Sequence, residues 1–592
     1  MTRSNWVGIL AAAVLLGCSC DKPAVVDAGV ADAGPKVLAE KEPNNSPENA
    51  LAIDGNVRVE ANLGADPAKP DEDWYVLTTH APKTVDVVVS CPAGSDIMVE
   101  LADGARTPLA LVNSAPAGEA ERFVNLDVSS KTYFRVLGAK KGAGGAYTVT
   151  TTFKERDPGF ELEPNDRRVD ASPVAMGQAV SGFIAHMGDS DWYRFELPGR
   201  EGEAAVAVVD AGEVDAGVAA DASAALVDAG TFDGGAADAG VEKVTMVPIR
   251  LDLSAVEGVR FELQVLSEAE AVLFEAKGKE GGALSLRNVG IRQTDAVIYV
   301  VVKSAPLNTA KDAKRGFNAD AYYTLTVAPE EAGASAELEP NDKADKATSL
   351  AANSYREGFL SPKGDVDYYR LTTDGPSLAK VSVSGVEKVD LQLSLIQEGS
   401  EPEVTLLKVN DGVVKEPESL NNVSCSGSCL FRVEAAPRKV DGKMVRDDEN
   451  SEMAYRISAV VVPDDGSEER EPNNTADKAT VVEANKPVRG TIFPKKDVDY
   501  FKLDLSKRAV KTPIKATVTG ILKVDLGLYL HRVDEEGKLE LVQTADKAKG
   551  EKSESVQFSA EPGVYVLEVR DAKNREANFQ DAYQLTVEEE SE

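Results

Sequence analysis

Histidine is scarce in this chain: three occur in 592 residues, His80, His186 and His531, and they are far apart. With so few, the commonest general base and nitrogen ligand is missing from any clustered arrangement. The HExxH, GxSxG, phosphate-loop and dinucleotide-binding glycine patterns are also absent. The chain is therefore expected to be no enzyme. His186 stands three residues before Asp189 and could act as ligand or base, but it is expected to be a solvated loop residue. Basic residues are in deficit: 65 Lys and Arg against 99 Asp and Glu leave a formal charge of −34. Phosphate recognition needs clustered Lys and Arg, so nucleic acid is excluded as a partner. Cations, or basic patches on proteins, are the natural counterparts. Beyond the N-terminus no apolar run reaches the ~20 residues of a membrane-spanning helix.

Cysteine is sparse as well, with five in all. Arg3 precedes an apolar run from Trp6 to Leu16, too short to span a bilayer and read as a secretory signal over 1–17. Its end, Leu15-Leu16-Gly17-Cys18, resembles the bacterial lipobox. That resemblance implies an acylated Cys18, a membrane anchor through lipid and a place in the cell envelope, with Ser19 pointing to the outer membrane. An ordinary cleaved signal with an incidental cysteine is the alternative. Cys425 and Cys429 flank a Ser-Gly-Ser loop short enough to close by a disulfide in an oxidising compartment. Free thiols or a metal are the other options, although a CxxxC pair without a second pair or a nearby His is a poor zinc site. Cys20 and Cys91 are left unassigned.

What the chain has in abundance is one acidic motif, repeated four times. ExEPN is followed at a set distance by DxD and two aromatics. The copies are Glu40, Glu42, Pro43, Asn44 with Asp71, Asp73, Trp74, Tyr75; Glu161, Glu163, Pro164, Asn165 with Asp189, Asp191, Trp192, Tyr193; Glu337, Glu339, Pro340, Asn341 with Asp365, Asp367, Tyr368, Tyr369; and Glu469, Glu471, Pro472, Asn473 with Asp497, Asp499, Tyr500, Phe501. From Pro to the first Asp the offset is 25 residues in three copies and 28 in the first. Ala50, Ala171, Ala347 and Ala479 lie seven after the Pro, and Gly182, Gly358 and Gly490 eighteen after it, with Ala61 in that place in the first copy.

Between motifs the apolar runs are short, alternating and bounded by Gly, Pro, Asn or Asp, as strands are. Thr84 to Ser90, Ile249 to Leu253, Ala296 to Lys303, Ala379 to Ser384 and Val564 to Arg570 are examples. A helical period is expected only in the short segment after each EPN. Each copy closes on a further alternating run at Tyr147, Tyr322, Tyr455 or Tyr583. Four antiparallel β-sandwiches in tandem follow, at 40–154, 160–328, 336–463 and 468–589. A flexible linker rich in Asp-Ala-Gly covers 18–39, and a similar insertion, expected to be disordered, occupies about 199–242 of the second unit. In the strand after DxD, Tyr193, Phe195 and Leu197 form a core face. The other face, Trp192, Arg194 and Glu196, puts the first aromatic at the edge of water, with Trp74 in the same place.

Calcium takes six to eight oxygen ligands, mixing carboxylates with amide and backbone oxygens. In an extended ExE both carboxylates lie on one side. If that segment folds against DxD, four or five carboxylates crowd together. Their pKa values then rise, and stability falls unless a cation is present. The alternative is structural: Asn and Asp cap turns, Pro stiffens a linker and DxD is an exposed polar loop.

The combination of EPN(N/D), Ala seven on, Gly, DxD with two aromatics and a closing Tyr-x-Leu-x-Val strand resembles the bacterial pre-peptidase C-terminal domain, itself similar to the collagen-binding domains of clostridial collagenases. The resemblance implies a jelly-roll-like β-sandwich, secretion, and a non-catalytic module that often accompanies extracellular hydrolases. It also implies calcium at Glu161, Glu163, Asn165, Asp166, Asp189 and Asp191, and at Glu337, Glu339, Asn341, Asp342, Asp365 and Asp367. Asn45 and Asn474 replace the following Asp in the first and fourth copies, which implies weaker sites there. The functional expectation is a calcium-stabilised envelope lipoprotein that binds or displays an extracellular protein or polysaccharide. The alternatives are an accessory subunit for a separate secreted hydrolase and a mechanical spacer.

Overall fold

Alternation of apolar and polar residues resolves into strands throughout the computed structural model, which describes residues 35–197 and 246–589 apart from positions 65, 67–70, 130, 141–143, 309, 312, 332, 441, 446 and 447. The expected signal peptide, Cys18, Cys20 and the insertion at about 199–242 lie outside the described residues. The described chain is all-β. Besides strands it holds single 3-10 turns at Pro47–Asn49, Arg168–Asp170, Ala344–Lys346 and Ala476–Lys478, just after each EPN. One stretch assigned to the linker, Lys36–Ala39, is a strand, pairing in parallel with Val57–Leu63.

The strands fall into four successive units, each built on a pair of sheets, with a two-stranded ribbon, Arg438–Val440 and Lys443–Val445, added in the third. In the fourth, one sheet runs in the order Thr480–Val482, Val498–Asp504, Val564–Asp571, Leu526–Val533, Leu539–Ala545. The other runs Val488–Ile492, Asn578–Glu589, Thr512–Val518, Glu554–Ala560. The same orders recur in the other units, where Lys36–Ala39 adds a fifth strand to the second sheet of the first. Pairing is antiparallel except at the short strand beside each DxD strand and at Lys36–Ala39.

Each unit has its own core, drawn from both sheets. In the fourth, Phe501, Leu503 and Leu567 come from one sheet and Ile514, Ala516, Leu585 and Val587 from the other. Burying such a side chain stabilises by about 1.5–3 kcal/mol. The DxD strand then crosses to the facing sheet: Thr78 leads to Lys83, Thr372 to Ser377 and Asp504 to Thr512, whereas Glu196 and Met246 bracket the insertion.

Two of the first aromatics, Trp74 and Tyr368, are more enclosed than expected, whereas Trp192 and Tyr500 keep the expected partial exposure. Trp74 and Tyr368 are 8% and 7% exposed, each in a small apolar cluster on the sheet's outer face. Tyr133 on the neighbouring strand packs beside Trp74, and the Arg135 guanidinium lies 5.3 Å above its ring. Alternation within one strand does not reveal this cover, which comes from the adjacent strand.

Consecutive units are joined by backbone pairing. The N–H of Glu163 donates to Asn125 O at 3.1 Å and the N–H of Asp127 to Glu163 O at 2.7 Å. Glu339 pairs likewise with Asn288 and Gly290 at 2.9 and 2.8 Å, and Glu471 with Asn422 and Ser424 at 2.9 and 2.8 Å. In the last three units the second ExE glutamate thus pairs in parallel beside the outermost strand of the unit before it.

Candidate metal centre

The ExEPN segment is fastened to the DxD strand by one backbone hydrogen bond. The N–H of the first aromatic donates to the motif asparagine's carbonyl: Trp74 to Asn44 at 2.9 Å, and Trp192 to Asn165, Tyr368 to Asn341 and Tyr500 to Asn473, each at 3.1 Å. This brings the glutamates beside the aspartates in every unit. The Glu–Pro bond is cis in all four.

Each acidic side chain then keeps the same partners. The first glutamate accepts from the backbone N–H 22 residues on: Asn62 for Glu40 at 2.7 Å, Phe183 for Glu161 and Phe359 for Glu337 at 2.6 Å, and Thr491 for Glu469 at 2.8 Å. The second glutamate accepts from the asparagine N–H, at 3.1 Å for Glu42, 2.9 Å for Glu163, 2.8 Å for Glu339 and 3.0 Å for Glu471. The first aspartate accepts from a loop N–H: Asp71 from Gly64, Asp189 from Ala185, Asp365 from Ser361 and Asp497 from Phe493.

The second aspartate is held by a tyrosine hydroxyl that the motif does not contain. Tyr147, Tyr455 and Tyr583 donate to Asp73, Asp367 and Asp499 at 2.6 Å, and Tyr323 donates to Asp191. In the second unit the closing tyrosine is therefore Tyr323, not Tyr322, whose side chain is exposed. In the first three units this hydroxyl also hydrogen-bonds Tyr75, Tyr193 or Tyr369 at 2.6–2.7 Å. Phe501 has no hydroxyl, and Tyr583 instead reaches Glu469 at 3.4 Å.

Space for this convergence comes from glycine. A methyl group on Gly182, Gly358 or Gly490 would collide with the first glutamate and the tyrosine hydroxyls. The first unit has Ala61 there, and its Glu40 is only half-buried, while Glu161, Glu337 and Glu469 are at most 1% exposed.

Burial with like charges close by moves the carboxyls upward. Burial, then the charge of Asp189, pushes Glu161 up to about 8. Burial raises Asp189 to about 6, Glu337 to about 7 and Glu469 to about 7. Asp191, Asp367 and Asp499 lie well above the carboxylate range, again through burial first and then the first glutamate's charge. Asp73 is pushed up to about 8 by burial.

Several oxygens in the cluster have no donor among the described residues. They are the asparagine Oδ1 and second-aspartate Oδ1 of every unit, joined in the last three by the second-glutamate Oε1 and in the second by Asp189 Oδ1. All four asparagines are fully buried. Carboxylate oxygens of Glu40, Glu42 and Asp73, of Glu161, Glu163 and Asp191, and of Glu337, Glu339 and Asp367 lie within 4.8 Å of one another. A second such group shares the middle glutamate: Glu163 with Asp166 and Asp189, Glu339 with Asp342 and Asp365. Asn45 and Asn474 occupy the place of Asp166 and Asp342, and each donates Nδ2 to the first aspartate, Asn474 to Asp497 at 3.1 Å. The donor set is oxygen alone, the chemistry of a hard divalent cation.

His186 is half-buried and not solvated as expected, its ring meeting Phe123 of the first unit edge-on at 6.3 Å. It stands 3.9 Å from Asp189 Oδ1. The sulfurs of Cys425 and Cys429 are within bonding reach, with Cα atoms 5.8 Å apart.

No protein-family model and no curated protein matches the chain. Among solved structures it is similar to the pre-peptidase C-terminal domain of collagenase from Bacillus anthracis, with 22% identity over 20% of this chain and 100% of that one, at a TM-score of 0.16. A secreted protein from Eubacterium rectale matches at 8% identity over 50% of this chain and 81% of that one, at a TM-score of 0.14.

Two outcomes follow. Gly358→Ala should destabilise the third unit by about 1–3 kcal/mol through overpacking. Hydrogen exchange should then quicken in Ser354–Leu360 and Asn450–Pro463, with the first unit unchanged; an unaltered third unit would contradict the close approach. The raised carboxyls also set a pH dependence. Their stabilising contribution in chelator is complete below their unfolded pKa of about 4 and is lost as pH rises through the folded values of about 6 to 8. The thermal midpoint in EDTA should therefore fall across that window. A midpoint that rises there would mean that the groups are ionised and paired.

Proposed function

We propose that the chain is a non-catalytic lipoprotein of the cell envelope, anchored through Cys18 at the outer membrane, whose four units are jelly-roll-like β-sandwiches stiffened by calcium for surface binding or display. The observation that carries this reading is the set of fully buried asparagine and aspartate oxygens that no described donor satisfies, repeated in every unit. An orphaned buried acceptor costs about 1–3 kcal/mol, more when charged, so four such sets call for a compensating cation. Calcium would be held by the ExE glutamates, the asparagine and the DxD aspartates, and in the second and third units also by Asp166 and Asp342. There it would neutralise the crowded carboxylates and lock the ExEPN segment against the DxD strand.

A structural rather than catalytic role accords with where the ExE and DxD carboxylates of the last three units sit: buried, and each committed to a fixed hydrogen bond. A disulfide between Cys425 and Cys429 fits the same oxidising compartment. The partner displayed to or bound would be an extracellular protein or polysaccharide.

Calorimetry of the full chain tests the metal reading: calcium held at a hundred times its dissociation constant should add about 2.7 kcal/mol per site relative to EDTA. An identical midpoint in the two conditions would defeat it. The anchor is tested separately by metabolic labelling with a fatty acid, where incorporation should vanish in Cys18→Ala. Unlabelled wild-type protein would remove the lipid anchor from the proposal.

A further inference from the structure

Each of the first three units carries the same irregularity on its outermost strand. In Glu121–Val128, Leu284–Arg292 and Glu418–Cys425 the ladder slips opposite Val85 to Val87, Ile249 to Leu251 and Ala379 to Val381, so that two residues oppose one. The second residue of each bulge is an asparagine in the left-handed region, Asn125 at φ 54°, Asn288 at 52° and Asn422 at 51°. Asparagine tolerates that conformation better than other side chains, and a β-branched residue tolerates it worst.

These asparagines are the residues that meet the next unit. Each carbonyl accepts the N–H of the second ExE glutamate, and the bulge turns the following backbone outward to complete the pairing. The side chain of Asn422 reaches the acidic cluster of the next unit. Asn422 Nδ2 donates to Glu469 Oε1 at 3.0 Å. Asn125 Nδ2 and Asn288 Nδ2 are buried donors with no partner among the described residues. Glu163, Glu339 and Glu471 are at most 8% exposed, whereas Glu42, which no described unit precedes, is exposed. The fourth unit departs from the pattern: its strand pairs with Thr512–Val518 without a slip, Gln557 alone facing Lys515 where the other units set two residues, so the bulge asparagine has no counterpart.

We propose that Asn125, Asn288 and Asn422 are positioning residues for the cation site of the following unit, so that docking of one unit on the next and cation binding form a single coupled equilibrium. This rests on the cation reading above. By linkage, a ligand that holds the ExE segment in place strengthens the junction, and the junction strengthens the site by the same factor.

The test uses the full chain titrated with calcium and followed by hydrogen exchange. In wild type, protection of the peptide over 337–342 reports the third site and that over 469–474 the fourth. Asn288→Gly keeps the left-handed backbone and removes the carboxamide; Asn288→Val opposes the backbone as well. Both should raise the calcium midpoint at 337–342 by at least about tenfold, the loss expected when an outer-sphere partner is removed. The midpoint at 469–474 should not move, and unchanged exchange in Val297–Ser304 certifies that the second unit is folded. In the reciprocal arm, Asp367→Asn should speed exchange at Gly290 in the unit before it. Calcium-dependent protection in wild type with an unmoved midpoint at 337–342 in both Asn288 variants would overturn the coupling and leave the cation reading intact. No calcium-dependent protection anywhere in wild type would overturn both.

Discussion

One backbone hydrogen bond, from the first aromatic's N–H to the motif asparagine's carbonyl, governs the chemistry of each unit. It forces an extended acidic segment alongside a strand that begins with two aspartates, and the rest follows by exclusion. Glycine is needed opposite the first glutamate because the approach leaves no room for a methyl group. A tyrosine from the last strand is needed because the second aspartate, once covered, has no water to bond with. The same covering removes the asparagine side chain from solvent and leaves its oxygen facing inward.

Such a cluster is unstable as a set of free charges. Desolvation and mutual repulsion both favour the neutral acid, which is the physical meaning of the raised pKa values. A protein can answer by keeping protons or by holding a cation, and the four units differ in the groups they bring to either answer. The second and third have the extra aspartate, Asp166 and Asp342. The first has Ala61, an exposed Glu42 and an amide at Asn45 that bonds its own aspartate. The fourth has the glycine but substitutes Phe501 for tyrosine and Asn474 for aspartate. Duplication has kept the backbone arrangement and let the electrostatics vary.

Much of this was legible in the sequence because the motif offsets are constant. A 25-residue gap from Pro to Asp, repeated three times, implies a fixed spatial relation, and the asparagine–aromatic hydrogen bond is that relation. Strands such as Thr84 to Ser90 and Val564 to Arg570 could be read from their alternation. What escaped notice depends on neighbouring strands or neighbouring units. Trp74 is covered by Tyr133, which its own strand's pattern cannot reveal. By contrast, Tyr322 and Tyr323 differ by one residue and so face opposite sides of the sheet, and the Tyr-x-Leu-x-Val spacing shared with Tyr583 falls on Tyr323. The bulge asparagines precede the next motif Pro by 39, 52 and 50 residues, so no constant spacing marks them. His186 looked solvated because the wall that encloses it, Phe123, belongs to the unit before.

The DxD strand also has two unlike ends. Its beginning is held by the acidic cluster, where an altered length would displace the carboxylates and break the pairing with the preceding unit. Its far end opens onto the crossing between sheets, a link of a few residues in three units and of 49 residues, from 197 to 245, in the second. Closing a longer loop costs entropy only logarithmically, roughly 0.6 kcal/mol for each doubling. Length can therefore be added at this crossing for little energy, so evolution is free to mount new sequence on one pole of a module while the opposite pole stays fixed in register with its neighbour.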